Sequence, residues 1–538
     1  MRSKTGQLDG PLVTVLMSTY NRPAYVGQAL ESILRQTYGN LQAVVVRDGG
    51  QSVREEIHRY ADPRVVFIDR DQNRGLPYSF NEALSHARGE YICYLGDDDL
   101  LYPYHVETLV TAAQNHPEFG VIYSDLYKAH CRIESDGRRT VLAKNVEISR
   151  DFDRFALLQF NHVLHVSLMH RRDLLDRAGP CNENLICLID WDLTRRLSFY
   201  TDFLHVPRIT GEYYAAIPDF QQRCERISSR KQKSLNRYIL NHLTIQSTRP
   251  SKPWPKMKDL SLILLADRFS SQTEQALREI WSHTFYPYQI YLPLTRSELD
   301  QLQRKTIVPN ILGVPVAEGC GKPERMDAAL RQCQGEYVAV IPDTWRIGFD
   351  EVAWIEKSLY PLLQGDSVST AYELVGSKPE NWGIVLDSAV LRSARRHYPN
   401  LPLRESLISA GVNIQLPQQS QWPFQLENLI TNAEYLERNG AWLDAEILYK
   451  GAEQQFGNGL WMKIRRANAL YHAGQYDAAG QWVASINDQR PSVSSLMLEA
   501  RIRRKQNRLS QALELFQKAR DILEGSEFYH AGYANGIV

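Results

Sequence analysis

The stretch Gly89–Leu101, GEYICYLGDDDLL, constrains this chain more than any other. Tyr91–Leu95 is a short apolar run bounded by turn signals, the pattern of a strand buried in a parallel sheet. It runs straight into three adjacent carboxylates, Asp97, Asp98 and Asp99. In open α/β sheets ligands bind beyond the carboxyl ends of the strands, which is where these acids would stand. Three consecutive acids repel one another unless they are solvated or share a cation, and Mg²⁺ and Mn²⁺ bridge such carboxylates to substrate phosphates. The competing reading is a solvated loop or helix N-cap, positions that also suit Asp.

Strand and helix alternate around that stretch. Leu12–Ser18 is a continuous apolar strand, followed by the polar turn Thr19-Tyr20-Asn21-Arg22-Pro23. The spacing of Val26, Ala29, Leu30 and Ile33 predicts a helix over Tyr25–Gln36. Leu41–Val46 is the next strand and delivers Asp48-Gly49-Gly50 to its carboxyl end. Val65–Ile68 is a third, and Asn73–Gly75 then turns the chain into a helix ending near Gly89. The alternation predicts a largely parallel sheet of the nucleotide-binding α/β type, with Asp48 and Asp97–Asp99 on one edge. One acid can take a base or ribose hydrogen bond while the others hold a metal. No GxGxxG or GxxxxGKS/T loop is present, so a metal is the natural means of neutralising phosphate.

Length and charge limit the remaining options. The 538 residues leave room for about three domains, each with its own core. Lys plus Arg and Asp plus Glu both number 62, a balance that points away from a nucleic-acid partner. The seven scattered Cys form no CxxC pair and fit reduced thiols. MRSKTGQLDG lacks the apolar core of a signal peptide, and no uncharged run is long enough to span a bilayer. The expectation is a cytoplasmic protein, with at most peripheral contact at the inner face of the membrane.

Taken in order, VTVLMSTYNR, VVVRDGG, NRG with Asn81, GEYICYLGDDDLLYP and LIDWDLTRR resemble the family 2 glycosyltransferases of GT-A fold. The resemblance covers about residues 11 to 220. It implies a nucleotide-sugar donor, UDP-linked by family habit, a divalent Mn²⁺ or Mg²⁺, and inversion at the anomeric carbon. It places the nucleoside on Thr19, Tyr20 and Asp48, with Asn73 in the adjoining turn. Metal and diphosphate fall on the acidic motif, the main ligand position at Asp98 with Asp97 and Asp99 flanking. The chain departs from the family pattern in three places. Gly96 aligns with the usual first acid of D-x-D, Phe80 stands where an Arg often precedes the Asn81 position, and Ile189 replaces the Glu of a Glu-Asp pair. Arg74 either substitutes for the missing diphosphate contact or is a solvated turn residue.

The second half of this module should build the acceptor side. His165–Arg172 reads as a strand, then Asp173–Ala178 as a short helix ending at Gly179. An inverting transferase needs a general base for the acceptor hydroxyl, and Asp190, the retained acid of the pair, is the candidate. Its alternative is a plain helix N-cap, as for Asp192. His162, His165 and His170 are irregularly spaced, which favours packed or surface roles over metal ligands. The basic run Arg223–Lys233 suits a solvated helix face, or anionic head groups at a membrane.

Past a Pro- and Lys-rich linker at Arg249–Lys258, the outline recurs. Ala29–Tyr38 returns as Ala276–Phe285 and Ala87–Leu95 as Cys333–Ile341, at offsets of 247 and 246. Where the first block has Gly-Asp-Asp-Asp, the second has Pro342-Asp343-Thr344-Trp345. The expectation is a degenerate, non-catalytic GT-A-like copy. After a second linker at Gln415–Phe424, Gly440-Ala441-Trp442, Gly474-Gln475-Tyr476 and Asn507-Arg508-Leu509 recur at spacings of 34 and 33. Each is followed by Ala at the same offset (Ala445, Ala479 and Ala512). This is similar to tetratricopeptide repeats, which bind proteins or self-associate. The predicted organisation is a catalytic GT-A domain over 1–248, a degenerate copy over 259–415 and an all-α repeat domain over 425–538. The predicted activity is transfer of a sugar to a hydroxyl of a glycan, surface polymer or protein. The rival is a non-catalytic glycan- or nucleotide-binding scaffold.

Overall fold

The computed structural model describes residues 10–134, 137–146, 148–216, 231–305, 308–347, 354–365, 369–374, 382–417, 440–456, 460–489 and 491–524, with a few more between 429 and 437. They form two compact units, one ending at Lys258 and one beginning at Asp259.

The first unit has strands β1 (Val13–Thr19), β2 (Leu41–Asp48), β3 (Val65–Arg70), β4 (Tyr91–Gly96), β5 (Leu100–Leu101), β6 (Val121–Ile133), β7 (Arg139–Val146), β8 (Leu168–Arg171) and β9 (Phe203–Ala216). They lie in the order β3-β2-β1-β4-β8-β6-β9-β5, with β7 on β6. β1, β2 and β4 are buried almost throughout, which is why they read as unbroken apolar runs rather than alternating ones. Helix Pro23–Leu34 lays Val26, Ala29, Leu30 and Ile33 against Val15, Met17 and Val45 of the sheet core. It starts and stops two residues earlier than predicted, with Pro23 in the first turn, where a missing N–H costs nothing. At the other end of β1, the Gly89 amide donates to Thr14 Oγ1 at 2.9 Å. A Cβ on Gly89 would stand 2.5 Å from the Thr14 nitrogen, so only glycine lets β4 start there.

Three sequence expectations need correction. The sheet is parallel from β3 to β4 and again between β6 and β9, but β8 runs antiparallel to both β4 and β6. Ile133 and Arg139 are too close in sequence for a crossover, so β6 and β7 pair antiparallel. His165–Ser167 is a 3-10 turn rather than strand, because the Ser167 amide and hydroxyl both bond back to the Leu164 carbonyl. The segment 249–258 is packed onto the first unit instead of hanging as a linker. Trp254 is 9% exposed and meets the Phe199 ring edge-on at 4.9 Å, which gives this Pro-rich segment apolar surface to bury.

The second unit contains β10 (Leu260–Leu265), β11 (Tyr288–Leu294), β12 (Ile311–Pro315), β13 (Tyr337–Pro342), β14 (Thr370–Glu373), β15 (Ile384–Asp387) and β16 (Asn413–Gln415). Their order is β12-β11-β10-β13-β15-β14-β16, parallel as far as β13 and antiparallel at β15. Among the described residues, five complete helices follow: Trp442–Phe456, Leu460–His472, Tyr476–Gln489, Val493–Lys505 and Leu509–Glu524. Gly440, Gly474 and Asn507 all take positive φ (78°, 80° and 61°). At each, the next amide reaches back five residues, Ala441 to Leu436, Gln475 to Leu470 and Arg508 to Arg503. These are three copies of one helix-ending turn. Ala445, Ala479 and Ala512 are all buried. The basic run 223–233 and most of the second linker lie outside the residues whose side chains are described.

Candidate active site

The carboxyl ends of β1, β2 and β4 open on one cavity of about 450 Å³, lined by Tyr20, Arg22, Asp48, Asn73, the Asp97–Asp99 turn and His165 among others. The sheet thus brings together the acids that lie far apart in sequence. Asp48 ends β2 and is 3% exposed. Its carboxylate accepts from the amides of Arg74 at 2.7 Å and Gly75 at 2.9 Å, and pairs with Arg70. Asn73 Nδ2 donates to the Asp48 carbonyl at 3.1 Å. Gly49 and Gly50 both hold φ near 72°, and a Cβ on Gly49 would meet the Asn73 nitrogen at 2.7 Å. The two turns are therefore locked to each other, and Asp48 shapes the wall as well as lining it. Arg74 lies over the Tyr78 ring, 3.3 Å from its centroid.

The acidic turn is short of positive charge. Arg22 bridges Asp97 (2.9 Å) and Asp98 (2.6 Å). Thr19, 1% exposed, sits beside Asp97; Tyr20 is 48% exposed. Burial raises the Asp97 pKa in spite of Arg22. Burial, and then the like charge of Asp98, push Asp99 up to about 7. Asp99 Oδ1 accepts the Tyr214 amide at 3.1 Å. Arg139 stacks over Tyr214 (3.7 Å) and Tyr25 (4.4 Å) while donating to the Asp98 carbonyl. Asp98 keeps 28% of its side chain exposed.

The residues fit a divalent cation. The donors are hard carboxylate oxygens, they carry more negative charge than Arg22 offsets, and Asp98 Oδ1 and an Asp99 oxygen both crowd the place where a Cβ of Gly96 would stand. Among the described residues no three His, Cys, Asp or Glu side chains form a ready metal cage. A cation of the Mg²⁺ kind takes one or two carboxylates and completes its shell with water and phosphate oxygens.

Asp190 is not among the cavity-lining residues. It sits in the first turn of helix Ile189–Leu197, directly after Leu188 in the left-handed region (φ 60°). That conformation is costly for a branched residue and is held here by the surrounding structure. Burial raises the Asp190 pKa, against the Trp191 amide and Asn161, whose Nδ2 donates at 2.7 Å. The Asp192 side chain turns inward, 1% exposed, to pair with Arg196 at 2.7 Å. Neither acid is the N-cap, which is Leu188.

His162, His165 and His170 are held neutral by burial, His165 down to about 3 and the others to about 4. His170 Nε2 bonds the Tyr94 hydroxyl at 2.9 Å. Of the three, only His165 lines the cavity. Arg139, Tyr214 and Asn161 escaped sequence reasoning because they approach from strands and loops distant in sequence. Arg22 carried a signal, being the last residue before the helix-starting Pro23.

Residues 14–165 match the model of glycosyl transferase family 2. The match begins in β1 and ends at His165, so it spans the acidic turn. An uncharacterized glycosyltransferase of Methanocaldococcus jannaschii is 35% identical over 127 residues, 23% of this chain and 44% of that protein. A PGL/p-HBAD biosynthesis glycosyltransferase of Mycobacterium tuberculosis is 27% identical over 206 residues, 36% of this chain and 75% of that protein. The solved structure of S. aureus TarS 1-349 with UDP-GlcNAc is 17% identical, covering 44% of this chain and 66% of that one, with a TM-score of 0.33. The chain thus spans less than half the length of the first of these relatives. Within the N-terminal unit, residues 14–165 are thus similar to a glycosyltransferase domain of family 2. No helix among the described residues is long and apolar enough to cross a membrane.

Proposed function

We propose that the first unit transfers a sugar, with inversion, from a nucleoside diphosphate sugar to an acceptor hydroxyl, and that UDP is the nucleotide. The observation that carries the reading is the crowding of Asp97, Asp98 and Asp99 at the end of β4, with Arg22 pairing only the first two, inside a cavity that Asp48 and Tyr20 also line. Asp98, with Asp99, would hold Mn²⁺ or Mg²⁺. When bound, the ion supplies positive charge to the departing diphosphate. Tyr20, Asn73 and the Asp48 turn hold the nucleoside, and Thr19 steadies Asp97 behind it. Asp190 takes the acceptor proton. Its raised pKa makes it a stronger base than an ordinary carboxylate, and Asn161 fixes its direction.

The second sheet we read as a non-catalytic copy. Supporting this, its strands repeat the order and directions of β3-β2-β1-β4-β8-β6, and Gly335 donates to Ser261 Oγ at 3.0 Å as Gly89 does to Thr14. The five helices, read as tetratricopeptide-like, would bind a protein partner or a second copy of the chain. The acceptor is a glycan, polymer or protein hydroxyl.

Calorimetry of UDP and GDP, with Mn²⁺ present and then chelated, tests the reading on wild type and Asp98→Ala. Metal-dependent binding of UDP that the variant loses is the expected result. Folded wild-type protein that binds neither nucleotide in any metal would leave the scaffold reading in its place.

A further inference from the structure

We propose that His165 binds the transferred sugar of the donor, its Nδ1–H donating to a sugar hydroxyl. This rests on the nucleotide-sugar reading above and adds the subsite for the sugar. Sheet order assigns the place. Asp48 ends β2, Tyr20 follows β1, Asp97–Asp99 follow β4, and His165 opens the turn that leads into β8. Those strands lie side by side in that sequence, and all four positions line the same cavity. A donor laid along this edge, with its nucleoside at β2 and β1 and its diphosphate at the carboxylates, puts its sugar at His165. Phe80, Leu95 and Val166 make the neighbouring wall apolar. A single placed polar group in an apolar wall is how small-ligand sites set orientation.

The imidazole is held in one pose. It stacks on Tyr94 at 4.1 Å and meets Phe80 edge-on at 5.2 Å. Nε2 is sealed from solvent without a hydrogen-bond partner and His165 lines the cavity, so Nδ1 is the nitrogen we assign to a ligand there. An orphaned N–H is rarer in protein interiors than an orphaned acceptor, so the buried Nε2 stays bare and the proton sits on Nδ1. The same burial keeps the ring neutral through the physiological range, so the donated bond persists at any working pH.

Three proteins decide the matter: wild type, His165→Phe, which keeps the ring stack but loses the donor, and His165→Asn, whose side-chain N–H falls near Nδ1. Each is titrated calorimetrically with UDP and with UDP-glucose, UDP-galactose and UDP-GlcNAc in Mn²⁺, at pH 6 and pH 8. The expected result is equal affinity for UDP in all three, with affinity for the preferred UDP-sugar falling roughly 3- to 10-fold in His165→Phe and largely restored in His165→Asn. The loss should be the same at both pH values. If His165→Phe binds UDP-sugar as wild type does, or loses UDP affinity in equal measure, the histidine is a packing residue and the inference is wrong. If wild type binds no nucleotide at all, the underlying function fails, and the sugar subsite with it.

Discussion

The two sheets use one strand plan and end it differently. At the starts of β4 and β13 they agree closely: Gly89 bonds the Thr14 hydroxyl, Gly335 bonds the Ser261 hydroxyl, and a Cβ on either glycine would strike the facing backbone. At the carboxyl ends they part. After β4 come three acids, one of them raised to about 7 by burial and its neighbour's charge. After β13 the acid Asp343 has its oxygens taken by Thr273 (2.8 Å) and Gln272 (3.2 Å), and Trp345 is 4% exposed. The first end carries charge without enough partners, and the second is internally satisfied. A strand plan is a matter of packing, and one plan can carry different side chains at its ends.

The largest expected effects break this contrast from the first side. Asp190→Asn should cut the transfer rate by roughly 10²- to 10⁴-fold while leaving UDP binding intact, measured by steady-state kinetics beside calorimetry. The same kinetics should show an acid limb above the ordinary aspartate range, because the base must be deprotonated and burial raises its pKa. Asp98→Ala should cost on the order of 10²-fold in transfer and remove the Mn²⁺ dependence of UDP affinity. Asp343→Asn, its counterpart contrast in the second sheet, should change transfer less than about twofold. A large loss there would mean that the second sheet takes part in catalysis.

Smaller effects sharpen the comparison from the shared side. Gly89→Ala and Gly335→Ala should each destabilise their own unit by about 1–3 kcal/mol, read by hydrogen exchange resolved to each unit. Unequal costs would mean that the two close approaches are not equivalent. The smallest effect concerns His205, held between Asp125 (3.0 Å) and Asp151 (2.9 Å). Burial pushes its pKa down, but the bonds to the two carboxylates outweigh this and leave it raised. Its contribution is therefore complete below the ordinary imidazole pKa and fades as pH rises through the raised value. His205→Gln should lower the first unit's unfolding free energy, read by urea denaturation, more at pH 6 than at pH 9, by less than about 1 kcal/mol.

Much of the fold was legible because its signals are local. The buried strands announce themselves as apolar runs, the first helix as a 3-to-4-residue spacing, and the helix ends at Gly440, Gly474 and Asn507 as recurring triplets. The errors came where tertiary packing overrode a local reading. Ser167 folded its own segment into a turn, and Trp254 drew an apparent linker onto the first unit. For the site, the acids were legible as a cluster, but their partners were not. Nothing in the linear order brings Arg139 and Tyr214 to the Asp98–Asp99 turn, or Asn161 to Asp190.

The sequence by itself determined which strands lie in the parallel core and that carboxylates stand at their ends, because periodicity and turn chemistry act over a few residues. Only the tertiary structure decided what each acid is free to do. Asp48 is tied into two turns, Asp192 is spent on Arg196, and Asp99 is left with a proton affinity near neutrality. Those outcomes depend on desolvation and on charges a few ångströms away across the fold, which a linear order of residues does not contain.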